Sequence, residues 1–201
     1  VWIRKFDCDP EPVPEWFPPG LQYARPVLGY GVIDPIEMRI HKSRMLLLST
    51  GHDSTLVEYL RESFTPKGES YVRSLVEELC YGVLRIHEGQ GRVHGALTPL
   101  NICANEDSRL LLWAVPTARL ELSFGRTEKF WEEPFRSPTV RSGETPTPAD
   151  DIYSLGAHFM RLLCGNHSNF VTWLADPKET LGTSTEGVEI ANRCLSDDPE
   201  R

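Results

Sequence analysis

The stretch ESYVRSLVEELCYGVLRIHEGQGRVHGALTPLNICA, residues 69–104, decides the fold of this chain. Apolar side chains in its first half recur at intervals of three and four residues, which places them on one face of a helix. These residues are Val72, Leu75, Val76, Leu79, Val83 and Ile86. Gly89 and Gly91 favour the end of that helix. The stretch therefore predicts an amphipathic helix over residues 69–88, followed by a short loop that contains His94.

From residue 92 to the C-terminal end, the sequence predicts a hairpin, a long loop and two further helices. Residues 92–116 contain short apolar runs around the polar residues 105–108, which predicts a β-hairpin. Residues 117–150 have no sustained period and contain several prolines, so a long loop is expected there. A second helix is predicted from about Ala149 to Cys164, with Asp150 and Asp151 in its first turn, where they favour the helix dipole. Residues 188–195 predict a last helix.

Upstream of it, the sequence indicates strands. Residues 1–6 are rich in strand formers, whereas the five prolines within residues 7–20 predict a loop. Residues 26–33 and 45–48 are apolar runs that predict two strands, with a turn at Asp34 and Pro35 between them. A short helix is expected over residues 56–60. The order is a small β-rich start followed by mostly helix, which is an α+β fold class.

Composition narrows the classes of function. The 201 residues are 40% hydrophobic and 25% charged, which suits one domain or a large part of one. A net charge of -8 argues against nucleic acid as a general partner. No apolar run approaches the length of a membrane span. The five cysteines are widely spaced and predict neither a disulfide framework nor a zinc site, so we expect free thiols and an intracellular, cytoplasmic location.

Four motifs in order resemble the protein kinase-like superfamily. GVLRIH (82–87) is similar to the G-L-x-Y-L-H end of the kinase αE helix, and HGALTPLN (94–101) to the catalytic loop H-R-D-L-K-P-x-N. DIYSLG (151–156) is similar to D-V-W-S-L-G at the start of αF, and CLSDDPER (194–201) to C-L-x-x-D-P-x-x-R, with one residue fewer between its proline and its arginine. The resemblance implies a kinase-like fold: a mainly helical C-lobe over 61–201 and a reduced, partial β-rich N-lobe over 1–60.

The resemblance also implies that the chemistry is lost. Phosphoryl transfer needs one carboxylate that orients the substrate hydroxyl and another that holds magnesium. The motif positions of these two aspartates are Ala96 and Ala114. Gly95 and Thr98 replace the arginine and lysine of the loop. We therefore expect a pseudokinase with no catalytic, cofactor-binding or metal-binding residues, which binds ATP weakly or not at all and serves as a protein-binding scaffold or allosteric regulator.

Other motif residues are expected to keep structural roles. Asp151 should accept hydrogen bonds from the backbone of residues 94–96, His94 should be a packed core histidine, and Asn101 should bond within its own loop. Arg201 resembles the arginine that pairs with the A-P-E glutamate, although it lies one residue early in the quoted pattern, and the position of that glutamate is Thr139. The remaining candidate acids for Arg201 are Glu132 and Glu133.

Several further positions complete the resemblance. In the adenine pocket, Trp2 would replace a small alanine, Arg4 the lysine, Leu48 the gatekeeper, and Cys103 part of the floor. Three acids are candidates to substitute for the lost aspartates: the resemblance puts Glu106 and Asp107 in the distal hairpin, far from the site, whereas Glu121 lies in the long loop and could reach it. Trp131 and Phe135 either pack against the lobe or anchor a protein partner. The loop over 117–139 and the segment over 7–20 are the expected contact sites.

Three alternatives remain open. Small-molecule phosphotransferases of the aminoglycoside type carry H-G-D-L-x-P-x-N, which matches His94 and Gly95 better but also has an aspartate where this chain has Ala96. The chain could instead be a structural subunit or a fragment of a larger assembly. It could also be a weakly active or atypical phosphotransferase that uses the same cleft.

Overall fold

The computed structural model describes residues 2–7, 32–33, 35–41, 44–49, 54–62, 68–90, 93–104, 109–113, 133–165, 170–175 and 184–196. Within these residues the architecture is α+β with more helix than strand. The predictions for residues 8–31, for the 105–108 turn and for residues 114–132 lie outside the described residues. The predicted boundary between residues 60 and 61 stays a prediction.

A three-stranded antiparallel sheet is built from the N-terminal segment. Its order is β1 (Trp2–Asp7), β4 (Arg44–Ser49) and β3 (Pro35–His41). The predicted strands over 1–6 and 45–48 are confirmed. The turn predicted at residues 34–35 is wrong at its second residue, because Pro35 is the first residue of β3. A proline is tolerated there because β3 is an edge strand.

A second sheet has the order β2-β7-β6-β5. The predicted hairpin is confirmed: β6 (Ile102–Ala104) pairs antiparallel with β7 (Leu110–Trp113). β2 (Val32–Ile33), the described end of the predicted 26–33 strand, runs parallel to β7. β5 (Ser54–Thr55) pairs antiparallel with β6. Short strands from the first sixty residues therefore complete the sheet that begins after the His94 loop.

Six α-helices and one 3-10 helix are described. The α-helices are α1 (Leu56–Glu62), α2 (Glu69–Gln90), α3 (Pro138–Arg141), α4 (Pro148–Cys164), α5 (Phe170–Ala175) and α6 (Thr185–Cys194). The four predicted helices are confirmed as α1, α2, α4 and α6, with ends that differ by a few residues. The 3-10 helix (Glu133–Phe135) and α3 lie where a loop was predicted, so that prediction is wrong over these residues. α5 was not predicted.

α4 is the central helix of the core. Thirteen of its residues are buried, and it packs against both α2 and α6. Gly156 allows the approach of α6, because a Cβ placed there would lie 2.5 Å from the Cβ of Cys194. Of the helices in the described ranges, none is both long and apolar enough to cross a membrane.

A polar cluster joins the first turns of α2 and α6. Arg73 Nη2 lies 2.6 Å from Glu69 Oε1 and 3.0 Å from Glu186 Oε2. Ser184, which caps α6 by accepting a hydrogen bond from the N–H of Gly187, donates from its hydroxyl to Glu69 Oε1 at 2.8 Å. We refer to Glu69, Arg73, Ser184 and Glu186 as the α2–α6 clasp. It connects the N-terminal ends of two helices that both pack against α4.

Candidate functional site

The loop over residues 93–101 connects α2 to β6 and contains the candidate site. Gly95 adopts a φ of 67°, a left-handed conformation that glycine accepts without strain. Two backbone hydrogen bonds tighten the rest of the loop: the N–H of Thr98 donates to Ala96 O at 2.9 Å, and the N–H of Asn101 donates to Thr98 O at 2.8 Å. The loop is therefore a defined structure rather than a loose connection.

Asp151, in the first turn of α4, holds this loop. Its carboxylate accepts hydrogen bonds from the backbone N–H groups of His94 and Gly95, each at 2.8 Å. The expected bonding to the backbone of the loop is thus confirmed at these two residues. The same carboxylate lies 2.8 Å from His87 Nε2, at the end of α2. Asp151 has no exposed surface, so these partners replace the water that the carboxylate loses on burial.

His94 and Asn101 both serve the loop itself. His94 is 1% exposed, and its Nδ1 accepts a hydrogen bond from the N–H of Ala96 at 3.2 Å, which places the ring proton on Nε2. Asn101 is completely buried and donates from Nδ2 to Ala96 O at 2.8 Å. Both expectations, a packed core histidine and an asparagine bonded within its own loop, are confirmed.

Ala96 therefore lies at the centre of a network formed by its neighbours. Its N–H and its carbonyl are each bonded to a loop side chain, while its own side chain is a methyl group that is 4% exposed. Thr98 is completely buried, and its hydroxyl has no hydrogen-bond partner within the described residues. These hydrogen bonds hold the backbone of Ala96 in place, but its methyl side chain cannot accept a proton.

His158 supports the loop from α4, two turns beyond Asp151. Its Nε2 donates to Leu97 O at 3.0 Å, and its ring stacks on Phe135 with the centroids 4.5 Å apart. Burial lowers the pKa of His158 from 6.5 to about 4, so the ring is neutral near pH 7. Sequence reasoning missed this residue. Its position seven residues after Asp151, on the same face of the helix, was the available signal.

Asp150 fixes the start of α4 beside Asp151. Its carboxylate accepts from the hydroxyl of Ser137 and, at 2.6 and 2.7 Å, from the N–H and hydroxyl of Thr147. Burial acts to raise the pKa of Asp150, but these hydrogen bonds to the charged form outweigh it and hold the pKa below its ordinary value. Ser154 also donates to Phe135 O at 2.7 Å, which ties the 3-10 helix to α4.

Some of the remaining predicted site residues lie within the described residues, and the others lie outside them. Phe135 is 3% exposed and packs between His158 and Phe170, so its packing interpretation is confirmed. Cys103 is completely buried in β6, and Glu133 is exposed. Backbone pairing places Arg4 and Leu48 on adjacent strands. Outside the described residues are Glu106, Asp107, Ala114, Glu121, Trp131, Glu132 and Arg201.

The described part of the chain lacks a metal-ligand cluster. No group of three or more His, Cys, Asp or Glu side chains there is arranged to hold a metal ion. The cysteines in that part, Cys80, Cys103, Cys164 and Cys194, are free thiols. No protein-family model matches the chain, and no curated protein matches its sequence.

Proposed function

We propose that this chain is a degenerate member of the protein kinase-like superfamily, a pseudokinase that binds protein partners inside the cell and does not transfer phosphate. The observation that carries the proposal is the anchored loop over residues 93–101. Asp151 accepts from two consecutive backbone N–H groups of that loop, the role that the resemblance assigns to the αF aspartate. Four motifs and this contact together favour a kinase-like C-lobe over a generic helical bundle.

The same loop argues against catalysis. A phosphotransferase needs a carboxylate within hydrogen-bond reach of the substrate hydroxyl. At the motif position for that carboxylate the chain has Ala96, and two polar side chains of the loop, His94 and Asn101, bond to the backbone of Ala96. The loop is ordered but lacks the carboxylate that would accept the proton. This combination favours a protein that uses its folded surface for binding and not for catalysis. This is the physical case for a scaffold or allosteric regulator.

A thermal melt with nucleotide tests the proposal. The purified chain is melted with millimolar ATP, once with magnesium and once with EDTA. A ligand that binds only the folded state at about one hundred times its dissociation constant adds about 2.7 kcal/mol of stability. For a chain of this length, that corresponds to a rise in Tm of about 5 to 10 °C. We expect no shift in either buffer and no transfer of labelled phosphate to a generic protein substrate.

The double variant Ala96→Asp, Ala114→Asp is the matched comparison. It restores both carboxylates at the positions that the resemblance assigns to them. A magnesium-dependent Tm rise in this variant alone would support the kinase-like register. A magnesium-dependent rise in the unmodified chain would contradict the loss of the nucleotide site and would favour the atypical phosphotransferase.

A further inference from the structure

Four Ser-Pro or Thr-Pro dipeptides lie in the described part of the chain. A proline after the hydroxyl-bearing residue is the feature that proline-directed serine/threonine kinases recognise, and the sequence alone gives no reason to prefer one dipeptide. They begin at Thr98, Ser137, Thr145 and Thr147. Burial and hydrogen bonding distinguish between them.

Three of the four hydroxyl groups are poor phosphate acceptors, because each is buried, hydrogen-bonded to a carboxylate, or both. Thr98 has no exposed surface, and Ser137 is 5% exposed and donates to the carboxylate of Asp150. Thr147 is exposed, but its hydroxyl donates to Asp150 Oδ2 at 2.7 Å and its N–H donates to the same atom. Phosphate on Thr147 would break the N-terminal cap of α4 and would place two anions in contact.

Thr145 differs from the other three. It is exposed, it lies in the irregular segment between α3 and α4, and Ser142, Gly143 and Glu144 before it are exposed as well. Neither its hydroxyl nor its amide forms a hydrogen bond to the described residues. Because Pro146 follows it, the backbone of Thr145 is restricted to extended conformations, the form in which a peptide substrate lies in a kinase cleft.

We propose that Thr145 is a phosphorylation site for a proline-directed serine/threonine kinase. In that reaction, Oγ1 of Thr145 attacks the γ-phosphorus of ATP held by the modifying kinase, and the bond from that phosphorus to the β,γ-bridging oxygen breaks. ADP leaves with the bonding electrons, and the hydroxyl proton passes to the catalytic carboxylate of that kinase.

The position of Thr145 gives the modification a structural consequence. Pro146 is half-buried against the 93–101 loop, and a Cβ placed on Gly95 would lie 2.9 Å from the Cβ and Cγ of Pro146. Phosphorylation would add about two negative charges one residue away from that contact, beside the carboxylate of Glu144. The modifying kinase has to bind the ring of Pro146, so this ring must first move away from Gly95. The reaction therefore requires a local opening of this surface.

The test uses the intact chain and three samples for comparison. The chain is incubated with a proline-directed kinase, magnesium and ATP, and each site is quantified by mass spectrometry. A synthetic peptide of residues 139–151, the variant Thr145→Ala and the variant Thr145→Ser are treated in the same way. Circular dichroism melts establish that both variants fold, as expected for an exposed side chain without hydrogen bonds.

We expect phosphate on residue 145 of the intact chain and of Thr145→Ser, at a rate within about tenfold of the peptide, because only the ring of Pro146 has to move. Thr145→Ala should lose at least nine tenths of the phosphate on residues 139–151. The proposal is overturned if the phosphate maps to Thr147, if the peptide is modified and the intact chain is not, or if neither is modified.

Discussion

Lowering the pH will destabilise this fold through His158. The ring is completely buried between the Asp151-held loop and Phe135, and burial lowers its pKa from 6.5 to about 4. In the unfolded chain the imidazole returns to the ordinary value. Between these two pH values the unfolded state therefore binds a proton that the folded state excludes.

The sign and the size follow from that difference. The contribution of His158 to stability is complete above pH 6.5 and is lost as the pH falls toward 4. Within this window the free energy of unfolding falls by about 1.4 kcal/mol per pH unit, which amounts to about 3 kcal/mol over the whole window. A single domain is stable by about 5 to 15 kcal/mol, so this loss is a large share of the total.

The variant His158→Gln isolates the effect. A glutamine amide can donate to Leu97 O as Nε2 does, but it has no proton to gain in this range. Near pH 7.5 the variant should be less stable than the unmodified chain, by about 1 to 2 kcal/mol, because the stacking on Phe135 is lost. Urea unfolding of both proteins, followed by circular dichroism at half-unit steps from pH 7.5 to 4.5, gives the two profiles.

The difference between the profiles decides the question, because all other histidines and carboxylates are common to both proteins. The gap should narrow as the pH falls and should reverse in sign at the acidic end. Parallel profiles from pH 6.5 to 4.5 would refute the argument, since they would mean that residue 158 takes up no excess proton on unfolding.

Two further substitutions test the contacts of α4. Asp151→Asn removes the charge that the loop N–H groups share and should cost about 3 kcal/mol or more, with new protease cleavage within residues 91–101. Its neighbour Ile152, which is 43% exposed, is the control, since Ile152→Ala should cost less than about 1 kcal/mol. Gly156→Ala should cost about 1 to 3 kcal/mol in urea unfolding, because its Cβ would lie 2.5 Å from the Cβ of Cys194. Gly68→Ala, where nothing lies within 4 Å of a new Cβ, should cost less than about 1 kcal/mol; equal losses at the two glycines would contradict the close approach.

Elements with a strong period were predictable from the sequence, and short elements set by local capping were not. α2 and α4 each present an apolar face over four or more turns, and the core forms on those faces. α3 has only four residues and exists because Ser137 caps it and Pro138 begins it, a signal that prolines elsewhere in the same segment obscured. β3 was missed because Pro35 was interpreted as a turn residue, although apolar and polar residues alternate after it.

The candidate site was predictable where a motif fixed it and not where tertiary packing did. Asp151, His94 and Asn101 were assigned from the motif spacing, and their hydrogen bonds agree with it. His158 could not be given a role from the sequence, because its role depends on which carbonyl lies opposite the helix. The different availability of the Thr145 and Thr147 hydroxyl groups is likewise set by contacts within the folded chain. Both residues belong to a Thr-Pro dipeptide, and the hydrogen bond to Asp150 distinguishes Thr147.

The α2–α6 clasp gives the helical part of this chain a particular order of assembly. Ser184 and Glu69 are separated by 115 positions along the chain, so joining them costs about 4 kcal/mol of chain entropy. We therefore expect the clasp to form after the helices between its two halves have packed, because that packing brings its two halves together. During synthesis Glu69 and Arg73 can pair with each other, but they lack Ser184 and Glu186 until those residues have left the ribosome. On this expectation, loss of the clasp contacts would report that the ends of α2 and α6 have separated.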